Sequence, residues 1–304
     1  MRIFIVLLTL CLIPLGAQQQ PPTEGGASAT NAPAQPTGPL DYVCPMDKDV
    51  RSDKPGFCSR CGMKLVLGVP DEVEYPMDLH FKPATFRAGE KVQLHFHIED
   101  PKTDKTVNKY EFVHEKLFHM FVVSQDLQYF LHDHPVLQAD GTFDFDQVFP
   151  KPGLYRIVGD FYPTGGTPQL IAKTVIVPGA PGAEIPLVEP KLKPELGVSH
   201  CTNMDVALTT DPPTPIVGLK TLLFFKITPA DGLEKYIGAW AHMLAASDDL
   251  IDLIHDHPFI ADGGPQMQFN IIFPRARTYK IWVQFQRKGV INTASFTIPV
   301  SELK

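Results

Sequence analysis

HMFVVSQDLQYFLHDHP, beginning at His119, returns 123 residues later as HMLAASDDLIDLIHDHP, beginning at His242. One inserted residue further on the match resumes, and FPKPGLYRIVGDF from Phe149 pairs with FPRARTYKIWVQF from Phe273. Two blocks in the same order at the same spacing mark a duplication. A unit of about 100 residues is a domain, not a solenoid repeat. Within it the pattern is that of strands. Val92, Leu94, Phe96 and Ile98 share one face of VQLHFHI, and Tyr155, Ile157 and Phe161 alternate against Arg156 and Asp160. Asp140-Gly141 and Pro152-Gly153 are turn signals. No segment keeps a helical period for three turns, and 30 prolines in 304 residues, about twice the usual share, disfavour long helices. The expectation is an all-β chain. Two duplicated antiparallel β-sandwich domains, immunoglobulin-like or cupredoxin-like, are preceded by a small Cys-rich metal-binding knuckle.

The remaining boundaries follow from composition. Arg2, the apolar run Ile3 to Leu15 and small residues at Gly16-Ala17 read as a signal peptide over residues 1–17. That run is too short to span a bilayer, and no second apolar stretch reaches 18 residues, so no transmembrane segment is expected after cleavage. The product should be periplasmic or secreted. Residues 18–40, rich in Gln, Pro, Ala, Thr and Gly, form a disordered tether. A cysteine-bearing segment occupies 41–69, the first sandwich 72–178, a proline-rich linker 179–195 and the second sandwich 196–304. With 27 basic against 34 acidic residues and no basic patch, a nucleic-acid partner is excluded.

Signal cleavage would leave Cys44, Cys58, Cys61 and Cys201. Three crowd into 18 residues while the fourth lies far away, a distribution that metal ligation explains better than two disulfides. In YVCPMDKDVRSDKPGFCSRCGMKLV (Tyr42 to Val66), Cys58-x-x-Cys61 on a tight turn brings two thiolates to one ion, and Gly62 lets the backbone curl around it. Cys44 closes a third side. With Met46 and Met63 beside these soft ligands, the site favours copper or silver, with zinc possible. A zinc-stapled knuckle that merely folds around its ion is the plain alternative.

This segment resembles the short heavy-metal-binding domain of copper- and silver-exporting ATPases and periplasmic efflux adaptors. The likeness rests on Tyr42, Cys44-Pro45-Met46, Val50-Arg51, Pro55-Gly56 and Cys58-Ser59-Arg60-Cys61-Gly62-Met63. That family usually has His-Pro after its Cys-Pro-Met. Here Asp47-Lys48 stand instead, which leaves Asp47 or a Met to complete the site. The resemblance implies soft-metal handling, with an envelope metal-efflux component as the partner. The whole arrangement is also similar to bacterial exported proteins that join such a segment to two sandwich repeats.

The duplication sorts the 11 histidines. His80, His95, His97 and His114 have no counterpart, whereas His119, His132 and His134 recur as His242, His255 and His257. A four-residue turn at Ser124 to Leu127 sets His119 opposite His132, with His134 on the same face, and Ser247 to Leu250 does the same for His242 and His255. Each triad is then a Cu(II) or Zn(II) half-site, to which His114 adds a fourth ligand in the first copy. The competing reading makes His-Asp-His-Pro a conformational signature, with Asp133 and Asp256 capping turns. His200, Cys201 and Met204 form a further soft cluster, for which the plain reading is an inert buried thiol.

The expectation for function is an exported, non-enzymatic protein that captures or buffers copper- or silver-like, or zinc, ions in the cell envelope. The alternatives are a copper- or zinc-dependent oxidoreductase on a β-sandwich, and an envelope interaction module with a structural zinc knuckle.

Overall fold

Alternation of apolar and polar residues decides which side of each strand is buried, and the strands of each copy divide into two sheets. The computed structural model describes residues 42–47, 50–52, 54–68, 73–164, 166–186 and 190–303; the expected signal peptide and tether lie outside the described residues. The knuckle is three short strands, β1 (Tyr42–Val43), β2 (Arg51–Ser52) and β3 (Val66–Leu67), in the order β2-β1-β3.

The first copy contains β4 (Met77–Lys82), β5 (Lys91–Asp100), β6 (Lys105–Thr106), β7 (Phe118–Ser124), β8 (Phe130–Asp133), β9 (Val136–Leu137), β10 (Phe143–Val148), β11 (Gly153–Phe161) and β12 (Gln169–Val177). One sheet runs β4-β5-β10-β9 and the other β12-β11-β7-β8. The second copy contains β13 (Val198–His200), β14 (Asp205–Asp211), β15 (Lys220–Thr228), β16 (Leu233–Glu234), β17 (His242–Ser247), β18 (Leu253–Asp256), β19 (Gln266–Ile272), β20 (Thr278–Arg287) and β21 (Val290–Pro299). Its sheets run β13-β14-β15-β19 and β16-β20-β17-β18, with β21 also on β20. The first copy thus sets strands A-B-E-D against G-F-C, with one further strand beside C, which is the immunoglobulin-type order. Both copies also carry that fold's tyrosine corner. The Tyr155 hydroxyl donates to the Lys151 carbonyl at 2.8 Å, and that of Tyr279 to the Arg275 carbonyl at 3.1 Å.

Val92, Leu94, Phe96 and Ile98 of β5 fill the first core as their alternation requires. Strands β7 and β17 are different, because every residue in them is buried. Met120 and Val122 face their own core, while Phe121 and Val123 turn outward and meet Leu244, Ala246 and Trp282 of the second copy. Phe130 stacks on Trp282 with ring centres 4.9 Å apart. The two copies therefore pack sheet on sheet, and each such side chain removed from water contributes about 1.5–3 kcal/mol. The end of the linker joins this assembly: Glu195 exchanges both backbone hydrogen bonds with Thr297 of β21.

The hairpins depart from the expected register. Phe121, not His119, lies opposite His132, and Leu244, not His242, lies opposite His255. The turn closes one residue later. Ser124 N–H reaches the Tyr129 carbonyl, Asp126 accepts from the Ser124 hydroxyl and the Gln128 N–H, and Leu127 takes φ 57°. Opposing pairs slip by two residues, an even shift that leaves every side chain on its original face. The histidines therefore still share a face, with His119 and His132 diagonal neighbours instead of direct ones.

Candidate metal centres

In the knuckle, ligand atoms of Cys44, Asp47, Cys58 and Cys61 all lie within 4.8 Å of one another. Cys44 leaves the end of β1, and the Cys58–Cys61 turn closes through the Gly62 N–H on the Cys58 carbonyl, with Gly62 at φ 76°. The Cys44 and Cys61 sulfurs are 3.4 Å apart, too far for a disulfide and suited to a shared ion. Asp47 Oδ2 stands 3.3 Å from the Cys58 sulfur and 3.8 Å from that of Cys44, while its Oδ1 accepts from Arg60 at 3.0 Å. Asp47 is thus the group placed to serve as a fourth ligand beside the three sulfurs. Met46 and Met63 pack in the apolar cluster around the cysteines. Hydrogen bonds from Cys44 and Cys61 hold the Cys58 thiol far below its ordinary range, and the same bonding pushes Cys44 up to about 11 and Cys61 up as well. Burial raises the Asp47 carboxyl.

The knuckle rests on the sandwiches. Its cysteines share an apolar cluster with Val113 and Tyr162 of the first copy, and the Arg60 guanidinium sits 4.1 Å over the Phe259 ring of the second.

His119, His132 and His134 bring ligand nitrogens within 4.8 Å of one another, and so do His242, His255 and His257. Outer partners fix most of these rings. The His119 Nε2–H donates to the Val113 carbonyl at 2.9 Å, and that of His242 to the Tyr236 carbonyl at 2.8 Å. Those carbonyls precede equivalent tight turns, His114-Glu115 and Ile237-Gly238, with all four residues at positive φ. The His132 Nδ1–H donates to Gln284 Oε1 at 2.7 Å, and His255 Nδ1 pairs with the Asp160 carboxylate. In these tautomers His119 Nδ1 and His132 Nε2, 3.1 Å apart, present lone pairs to each other. The Nε2–H of His134 and of His257 can each satisfy one neighbour, His119 Nδ1 at 3.2 Å and His242 Nδ1 at 3.0 Å. His255 Nε2 is left buried with no partner. Carbonyl or carboxylate outside and lone pair inside is the arrangement of metal-bound imidazoles. Burial favours the neutral form of five of these rings: it lowers His119 to about 4 and His134 to about 3, and depresses His132, His242 and His257 well below the usual value.

His114 does not join the first triad. Its ring centre lies 3.8 Å from that of His257 and 5.4 Å from that of His242, so its turn reaches across to the second copy. Asp160 and Gln284 escaped the sequence reading because a polar residue on a strand reads as solvent-facing. The available signal was their equivalence in the duplicated block. Among the described residues, His95 pairs with Asp144, His97 with Thr106 and His200 with Asp205. Met204 lies in the second core, and no candidate cluster includes Cys201.

The described residues contain no helix long and apolar enough to cross a membrane. Comparison with known proteins adds family context. No curated protein matches the chain. Solved structures that overlap it include the Yersinia pseudotuberculosis adhesin InvE (10% identity, 73% of this chain and 58% of that chain, TM-score 0.24). Another is a two-domain fibronectin type III segment of chicken tenascin (8% identity, 74% and 99%, TM-score 0.23). The chain spans little more than half of the Yersinia adhesin, and overlaps this loose bear on nothing further. Residues 42–66 match the heavy metal binding domain. Residues 71–179 and 199–302, well over half of the chain, match the family described as domain of unknown function DUF8832, and the chain belongs to that family.

Proposed function

We propose that this is an exported, non-enzymatic metal-binding protein that captures or buffers copper- or silver-like ions, or zinc, in the cell envelope. The observation that carries this reading is the knuckle: three thiols and a carboxylate converge in a segment that matches the heavy metal binding domain. Thiolates select soft ions, and binding exchanges the thiol protons for the ion. A cavity of about 530 Å³ lined by Pro45 and Met46 of the knuckle is also lined by Asp160 and His255, so the two centres border one space. The envelope location rests on the leader-like N-terminus, and an efflux component remains the partner this context suggests.

The test is Cu(I) competition against a chromophoric chelator with the full chain. Cys58→Ser together with Cys61→Ser should abolish tight Cu(I) binding while both sandwiches stay folded; unchanged affinity would contradict the proposal. Fractionation of producing cells tests export, and retention in the cytosol with an uncleaved leader would argue against it.

One observation favours the oxidoreductase reading. Three imidazoles leave coordination positions open, and His255 is among the residues that line the same cavity. Dioxygen consumption by the copper-loaded chain in the presence of a reductant would support that reading over simple capture.

A further inference from the structure

The two histidine triads are not two separate half-sites. Ring centres within a triad lie 4.5–6.1 Å apart, as in His255–His257 and His242–His255. Between triads the separations are the same: 5.6 Å for His119–His242, 5.4 Å for His132–His242, 5.6 Å for His119–His255 and 6.2 Å for His132–His255. The supports are also exchanged. Gln284 of the second copy orients His132 of the first, and Asp160 of the first copy orients His255 of the second. Asp160 and Gln284 sit at equivalent places, each beside the first histidine of its own triad (Asp160 against His119, Gln284 against His242). His114 of the first copy lies on His257 of the second. Each triad is therefore completed by the other copy.

The geometry points to one dinuclear centre at the interface of the two copies, holding a pair of imidazole-preferring first-row ions, copper foremost, with one ion per triad. This goes beyond ion capture at the cysteine knuckle and does not depend on it. Two observations call for two ions. The inward nitrogens form two groups that each close around a separate point, and each group retains a lone pair that no protein proton satisfies: His132 Nε2 in one and His255 Nε2 in the other. Imidazole sites rank Cu(II) above the other divalent first-row ions, which is why copper is the probe. Asp160 is the carboxylate bonded directly to a ring of the cluster, so it partly offsets the charge of a closely spaced pair. The centre would also hold the copies together, since neither ion keeps its oriented ligands if the sheets part.

The experiment uses the full chain with Cys11, Cys44, Cys58, Cys61 and Cys201 changed to serine, so that thiols neither bind nor reduce Cu(II). Titration should retain two Cu(II) per chain after gel filtration. The first equivalent should give an ordinary isolated Cu(II) resonance, and the second should broaden it and add a half-field transition from a coupled pair. Asp160→Asn should weaken one of the two equivalents by about 10–100-fold, although its ligands lie on the other copy. A single equivalent, two uncoupled resonances, or two equivalents indifferent to Asp160→Asn would each overturn the proposal. Should the serine variant not fold, the unmodified chain keeps the question open to test. Equilibrium dialysis against zinc should then give two ions per chain beyond any that a mercurial thiol reagent releases, and fewer than two such ions would refute the pair. Failure of Cu(I) capture in the knuckle would appear only in the chelator competition, so the two claims fall separately.

Discussion

Asp47 is the residue on which the character of the knuckle turns. Its Oδ2 faces two thiols while Arg60 holds its Oδ1, so the carboxylate is aimed as a ligand and pinned in place. Three sulfurs suffice for Cu(I), whereas zinc favours four ligands in a tetrahedron. Asp47→Asn should therefore leave Cu(I) affinity nearly unchanged and lower zinc affinity on the order of tenfold or more. Parallel competition titrations with the two ions check this, and an equal loss for both would show the carboxylate to be structural. Asp47 was legible as a candidate because it stands where His is expected. Its partner Arg60 was not, because a residue 13 positions away meets it only once the loop has closed.

At the scale of the element, the tyrosine corners separate two roles for one motif. The Tyr155 hydroxyl makes a single backbone bond, while that of Tyr279 shares its one proton between the Arg275 carbonyl and, at the shorter distance of 2.7 Å, Asp252, which Arg275 grips. Tyr155→Phe should cost about 1 kcal/mol, and Tyr279→Phe more, because a carboxylate then loses its donor. Urea denaturation of the two variants measures the difference, and equal costs would refute the network. The strands themselves were readable from the alternation of Val92, Leu94, Phe96 and Ile98. The face shared by His119 and His132 was readable too, since parity survives an even register slip. The register was not, because it depends on how Asp126 and Leu127 close the turn. Nor was the second buried face of β7: a run such as Phe121-Val122-Val123 states that both sides are apolar without naming what covers them.

For the whole molecule, the duplication works by pairing. Leu244, Trp282 and Phe121 seal the sheet-to-sheet contact, and the histidines extend the same face. Trp282→Ala removes the ring stacked on Phe130 and should cost about 3–5 kcal/mol. Binding at the histidines should weaken with it, and unaltered Cu(II) affinity would uncouple interface from site. Acid should act through the same buried rings. His114 at about 3, His119 at about 4 and His134 at about 3 titrate below the ordinary histidine value of 6.5, chiefly through burial, so the unfolded chain takes up protons first as pH falls. Their contribution is complete above pH ~6.5 and is lost towards pH 4 and 3, with His119 alone giving up about 2 kcal/mol by pH 5. Asp256, raised by burial to about 7, acts in the opposite sense and relieves a smaller part of that loss. The melting temperature of the metal-free chain should fall steadily from pH 7 to pH 5; a flat or rising profile would contradict neutral burial of these histidines.

The central claim is that this chain holds ions at two chemically different centres, one of thiols and one of imidazoles. Anomalous diffraction from crystals of the metal-loaded full chain, recorded on both sides of the copper and zinc edges, tests it most directly. The account predicts one peak enclosed by Cys44, Asp47, Cys58 and Cys61, and two peaks between the sandwiches, one within each histidine triad. Maps with no peak at either cluster, or with metal only at surface histidines such as His80 and His200, would contradict it.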